Sequence, residues 1–367
     1  MIPIAEPSFG KEELRNVIEC VKTGWISSQG KFVKEFEDSL SGYVVTKYGV
    51  ATSSGTTALH LALLALGTKP GDEVIVPTLT FIATANVARY CGATPVFVDS
   101  HPDCWCIDPD LIEAKITDKT VGIIPVHLYG HSCDMEPILD IAMKHNLWVV
   151  EDSAEAIGAK YKGRKVGSMS HISCFSFFAN KIITTGEGGM CLTNNEELAA
   201  RIRILRDHGM DPDKRYWHNE IGYNYRMTNL QAAIGVAQLG RIDELINARR
   251  RVADWYNSGL SGLPITLPPI LEWADPVTWQ YTILLSDRQA KEKVSERLKE
   301  KNVEARPMFY PIHTMPPYKG KEQFPVAEDL SRRGLSLPSS PNLTGSQLDY
   351  ICNCIEERVL EDSIFAP

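Results

Sequence analysis

The sequence predicts an α/β chain with a mostly parallel sheet lying between helices, followed by a smaller α+β C-terminal part. Three observations carry that expectation. Short apolar runs alternate with helical stretches, the pattern of strands buried on both faces. At 367 residues the chain exceeds what one hydrophobic core usually holds. After Gly262 the texture changes to Pro-rich segments, so residues 1–250 are expected as a large domain and 251–367 as a small one.

Residues 11 to 22 read as an amphipathic helix with Leu14, Val17, Ile18 and Val21 on one face. Trp25 to Gly30 is a loop, and Phe32 to Tyr43 is helical again. Ser54-Gly55-Thr56 supplies a cap and a permissive turn before an Ala/Leu-rich helix. Free amides and the helix dipole make such an end a seat for phosphate, although an ordinary capped helix looks the same. Strands follow at 73–77, 95–99, 121–126 and 147–152, with helices at 80–90 and 138–145 between them. Met190 to Thr193 is a further strand after the turn Gly186-Glu187-Gly188-Gly189. From Gly222 a single long helix is expected to about Tyr256, joining the two domains. A strand near 280–285, a helix near 290–300, a strand at 302–306 and a last helix from 346 to 359 complete the chain.

The bulk numbers exclude several classes of function. A formal net charge of -8 argues against nucleic acid or an anionic membrane as the main partner. No signal peptide opens the chain and no stretch is apolar for long enough to span a bilayer. Nine scattered cysteines suit a reducing cytoplasm. No metal site is expected, because no C-x-x-C pair occurs, even though His101, Cys104 and Cys106 lie close together. A dinucleotide site lacks its G-x-G-x-x-G, and no Walker loop is present.

Chemistry concentrates in Cys174-Phe175-Ser176-Phe177-Phe178-Ala179-Asn180-Lys181. An apolar run disfavours a charged ammonium, and a neutral lysine amine can attack a carbonyl and hold it as a Schiff base. Taken by itself, Lys181 reads more simply as a lysine that snorkels from a strand end into water, and the rest of the sequence reverses that preference. A pyridine-phosphate cofactor needs a lysine, a carboxylate at the ring nitrogen, a phosphate seat and an aromatic cover. Lys181, Asp152, Ser54-Gly55-Thr56 and Phe81 offer the four in an order coherent for an aminotransferase of fold type I.

Ser-Ser-Gly-Thr-Thr-Ala-Leu at 53–59, Glu-Asp-Ser-Ala-Glu-Ala at 151–156 and Asn-Lys-Ile-Ile-Thr-Thr-Gly-Glu-Gly-Gly-Met at 180–190 resemble the DegT/StrS family over nearly the whole chain. The resemblance implies a pyridoxal 5'-phosphate enzyme that moves an amino group from L-glutamate to a nucleotide-linked keto sugar. Stretches at 209–217, 223–233 and 311–318 point, within the family, to the 4-keto carbon of GDP-4-keto-6-deoxy-D-mannose and to surface-polysaccharide synthesis. A UDP- or dTDP-linked sugar, or a non-catalytic sugar-binding homologue, are the alternatives; a related 3-dehydratase would carry His at position 181. By the same resemblance, Lys181 would bond to the cofactor and carry the proton, and Asp152 would pair with the ring nitrogen. Glu155 would lie beside the ring, Phe81 would stack on it, and Ser54, Gly55, Thr56 and Ser176 would hold the phosphate. Asn224 would reach that phosphate from a second subunit, which implies a homodimer with shared sites. Trp25, Arg306 and His313 would contact sugar or diphosphate. Ala179 replaces a glycine usual in relatives, so the backbone there is expected to avoid a left-handed conformation.

Overall fold

The computed structural model of the protein describes residues 1–364. Helices α1 (Lys11–Thr23) and α2 (Lys31–Val44) lead into β1 (Tyr48–Thr52) and α3 (Gly55–Ala65). Then β2 (Glu73–Pro77), α4 (Ala83–Tyr90), β3 (Thr94–Val98), β4 (Thr120–Ile123), α5 (Met135–Lys144) and β5 (Trp148–Asp152) alternate. A two-residue hairpin, β6 (Lys160–Tyr161) and β7 (Arg164–Lys165), precedes β8 (Ile172–Ser176), β9 (Gly189–Thr193) and α6 (Glu196–Arg206). Helices α7 (Asn229–Gly240) and α8 (Ile242–Gly259) follow. The C-terminal part comprises β10 (Ala274–Asp275), β11 (Tyr281–Leu284), α9 (Arg288–Glu300), β12 (Arg306–Pro307), α10 (Pro325–Arg333), β13 (Gly334–Leu337) and α11 (Gly345–Ile364).

The central sheet has seven strands in the order β1-β9-β8-β5-β4-β2-β3. From β8 to β3 every pairing is parallel, and only β9 runs against its two neighbours. Val149, Val150 and Ile172 are fully buried, and β5 has no exposed residue, as strands covered on both faces require. Each such aliphatic side chain removed from water stabilises the fold by about 1.5–3 kcal/mol. Helix α3 is apolar around its whole circumference and buried accordingly. Asp152 and Ser176 end the adjacent parallel strands β5 and β8, which brings both to the carboxyl edge of the sheet, where open α/β sheets hold ligands.

A second apolar cluster, from Val252 to Ile355, gathers α8, α9 and α11 on the antiparallel sheet β11-β13-β12. Among the described residues no helix is long and apolar enough to cross a membrane.

Two expectations are corrected. The single helix from Gly222 to Tyr256 is two, because Thr228 caps α7 by accepting the Gln231 N–H and the helix breaks at Arg241. Residues 223–225 are extended instead: the Tyr223 and Tyr225 amides donate to the carbonyls of Leu205 and Arg206. The strand at 302–306 shrinks to a bridge between Val303 and Ile2, with ladder pairing only from Arg306. Helix α1 forms where it is expected, and its apolar stripe points outward, Leu14 and Val21 being more than 60% exposed. The polar side of α1 is the buried one, because its groups find partners: Asn16 donates to the Ala233 carbonyl, and the Glu13 carboxylate accepts from Gln238 and the Gly10 amide.

Candidate active site

A cavity of about 500 Å³ opens at the carboxyl edge of the sheet, lined by Ser54, Gly55, Thr56, Phe81, Asp152, Glu155, Ser176, Lys181 and Arg306. Nine of the residues expected at a site therefore converge from five separate stretches. The start of α3 offers a seat for an anion. Ser54 Oγ accepts the Thr57 amide at 3.2 Å and Thr57 Oγ1 accepts the Ser54 amide at 3.0 Å, which fixes the turn. The amides of Gly55 and Thr56 head the helix, where N–H groups lack intrahelical acceptors. A Cβ at position 55 would fall 2.7 Å from Ser176 Cβ, so glycine there is what lets the end of β8 close against the helix.

Asp152 is buried, its carboxylate accepting from Thr84 Oγ1 at 2.8 Å and from the Ala154 amide at 3.2 Å. Burial raises its pKa above the ordinary carboxylate value, and the Thr84 hydroxyl partly offsets this. Lys181 follows β8 in a turn where its amide donates to the Phe178 carbonyl at 2.9 Å. Its Nζ lies 3.8 Å from Glu155 Oε1 and 3.5 Å from the centroid of the Trp279 ring. Burial lowers the lysine pKa, against the pull of Glu155 and Asp152. Burial likewise pushes Glu155 up to about 7, although Lys181 and the Tyr129 amide at 2.8 Å both favour its charged form. In this pair burial drives the amine and the carboxyl alike toward their neutral forms.

One wall is aromatic. Tyr129, Trp279 and Phe309 form a triangle of rings, with Tyr129 5.9 Å from Trp279 and 5.2 Å from Phe309 and those two 6.3 Å apart, and Phe81 sits 6.0 Å from Phe309 at the exposed mouth. Tyr129 takes a left-handed φ of 52°, which turns its amide onto Glu155, and its hydroxyl accepts the Phe309 amide. Ala179 does not take a positive φ, in line with the preference of a residue that carries a Cβ.

Three expected residues lie outside the cavity of the single chain. Trp25 is exposed near the start of α2, its carbonyl accepting from Asn229. Asn224 is exposed on the extended segment beside β1 and binds Arg226. His313 is buried between Thr78 Oγ1 at 2.7 Å and Glu328 Oε1 at 3.2 Å, which ties the loop after β12 to the end of β2. Sequence reading missed Thr84, Tyr129, Trp279 and Phe309. Thr84 stands three residues after Phe81 and Phe309 three after Arg306, each beside an expected site residue, whereas nothing local marks Trp279. Among the described residues no cluster of His, Cys, Asp and Glu could hold a metal ion.

A seat for an anion, a buried acid, a desolvated amine and an aromatic cover in one cavity fit a pyridine phosphate. Comparison with known proteins agrees. The model of the DegT/DnrJ/EryC1/StrS aminotransferase family matches residues 7–356. The chain is 48% identical over 362 residues to a GDP-perosamine synthase of Caulobacter vibrioides, covering 97% of this chain and 98% of the relative. Another, of Escherichia coli O157:H7, is 48% identical over 357 residues with the same coverage. The solved structure of S. venezuelae DesV in complex with a ketimine intermediate superposes with a TM-score of 0.90 at 36% identity, covering 94% of each chain.

Proposed function

Since the chain belongs to the DegT/DnrJ/EryC1/StrS aminotransferase family and is a pyridoxal-phosphate-dependent sugar aminotransferase, we propose that it aminates the 4-keto carbon of GDP-4-keto-6-deoxy-D-mannose, with L-glutamate as donor, for surface-polysaccharide synthesis. The observation that carries the substrate is the 48% identity to GDP-perosamine synthases along nearly their whole length. The cavity supports the chemistry. When bound, pyridoxal phosphate supplies the aldehyde that takes up the amino group and a ring that withdraws electrons.

In this reading the amides of Gly55 and Thr56, with Ser54 and Ser176, hold the phosphate at the head of α3. Asp152, held in place by Thr84, is the carboxylate that would keep a proton on the ring nitrogen. Lys181 Nζ is the amine that would hold the cofactor's aldehyde and could carry a proton at that atom; positioned proton transfer is worth ~100- to 10,000-fold in rate. Glu155, fixed by the Tyr129 amide, receives or returns that proton beside it. Phe81 covers the ring and, with Phe309 and Trp279, keeps water from the reacting atoms. Arg306, lining the cavity and paired with Glu304 at 2.8 Å, is placed to meet the substrate's diphosphate.

Asn224 and Trp25 belong to the same reading as contributions from a second copy of the chain to the site, His313 as a residue that shapes the sugar pocket. A homodimer is supported by the outward stripe of Leu14, Ile18 and Val21, continued by the exposed Trp25 and Ile26. A division near residue 251 into a large and a small domain accords with the second apolar cluster starting at Val252. The testing experiment is a panel of GDP-, UDP- and dTDP-linked keto sugars incubated with enzyme, cofactor and glutamate, read by mass spectrometry. Amination of the GDP-linked 4-keto sugar is expected; amination of a UDP or dTDP substrate alone overturns the substrate assignment.

A further inference from the structure

Arg249 is buried, only 3% exposed, near the middle of α8. A buried guanidinium ordinarily sits against a carboxylate, since an unpaired charge in the interior is costly. Among the described residues no carboxylate pairs with this one. Its Nη1 donates to the Trp279 carbonyl at 2.8 Å and to the Ser339 carbonyl at 3.0 Å, and its Nη2 donates to the Lys181 carbonyl at 3.2 Å. Its Nε is buried with no acceptor.

Each of the three carbonyls has a place in the site or beside it. Lys181 bears the amine, Trp279 presents the ring against which that amine rests, and Ser339 leads from the C-terminal sheet, its hydroxyl accepting the Tyr281 amide. Trp279 closes the circle, its indole N–H donating to the Asn180 carbonyl one residue before the lysine. One guanidinium thus binds the lysine turn to the segments that lead into β11 and out of β13, and it leaves a positive charge behind the lysine with only carbonyl dipoles to balance it.

We propose that Arg249 is a positioning residue for Lys181, clamping the lysine turn to the C-terminal sheet and setting an uncompensated positive charge against the amine. A neighbouring cation disfavours the ammonium form and so favours the amine that can attack an aldehyde. The charged and titratable groups facing Lys181 are Glu155 and Asp152, which pull the other way, and Arg249, which alone among them opposes protonation. Glu187 and Arg306 also line the cavity, both exposed to solvent. Burial at this depth pulls the guanidinium's own pKa down to about 10, which still leaves it charged at neutral pH.

The inference rests on Lys181 as the lysine that holds the cofactor, and the test is chosen to stand apart from that assignment. The Lys181 amine of the full-length, cofactor-free protein is labelled with trace acetic anhydride across a pH range, and its modification is quantified by mass spectrometry. In Arg249→Gln and Arg249→Met, shown to be folded by circular dichroism, the pH of half-labelling moves up by on the order of one unit, the scale of a neighbouring-charge effect. In Arg249→Lys, which keeps the charge but cannot fork onto three carbonyls, the titration stays near wild type while bound cofactor is lost faster on dialysis. An unmoved titration in the folded neutral variants overturns the proposal. Should those variants not fold, Arg249→Lys decides: a titration displaced upward, or cofactor retention equal to wild type, overturns it.

Discussion

At the scale of single residues, the site works by desolvation. Lys181 and Glu155 face each other across 3.8 Å, and burial moves both toward neutrality. Replacing Lys181 by Ala is expected to reduce amino transfer by at least the ~100- to 10,000-fold that a positioned proton carrier contributes; near-wild-type turnover would refute its role. Glu155 makes a pH prediction. Its carboxyl holds a proton up to about 7 in the folded chain, against 4.5 as the ordinary value. The folded state therefore binds more protons inside that window, so the stability this group contributes is present below it and lost as pH rises through it. Glu155→Gln cannot titrate, and chemical denaturation of the cofactor-free variant should fall less steeply with pH across the window than wild type. Equal slopes would contradict the shift. Lys181, Asp152 and Ser54 could be read from sequence because each sits in a short motif with its own chemistry. Trp279 and Arg249 could not, since they act through main-chain carbonyls brought together only by the fold.

At the scale of elements, the seat at the head of α3 depends on one missing Cβ. Gly55→Ala would push a methyl into Ser176, an overpacking that typically costs about 1–3 kcal/mol. A lower melting temperature and faster loss of cofactor on dialysis are expected together; a variant unchanged in both would show that β8 can yield. The strands of the parallel sheet were readable because a strand buried on both faces is apolar along its whole length, bounded by Gly and Pro. The orientation of α1 was not, because periodicity shows that an apolar stripe exists and says nothing of what covers it. Glu13 and Asn16 are buried by virtue of Gln238 and Ala233, more than 200 residues away in sequence. The break between α7 and α8 does carry a local signal, Gly240 immediately before Arg241, but a lone glycine within a helical pattern is tolerated often enough that it does not by itself mark an end.

At the scale of the whole molecule, the stripe of α1 and the exposed Asn224 bear on assembly. Leu14, Ile18, Val21, Trp25 and Ile26 make an apolar surface that a second copy would bury. Sedimentation is expected to show a dimer for wild type, and Ile18→Glu combined with Val21→Glu is expected to give a monomer with little activity. A monomeric wild type, or a fully active monomeric variant, would contradict shared sites. The central claim is that one buried amine at the carboxyl edge of the sheet bonds to pyridoxal phosphate. It is tested most directly by reducing the cofactor-loaded protein with borohydride, which fixes the cofactor to the amine that holds it, and mapping the peptides by mass spectrometry. The expected result is a single reduced adduct on Lys181; an adduct on another lysine, or none, would contradict it.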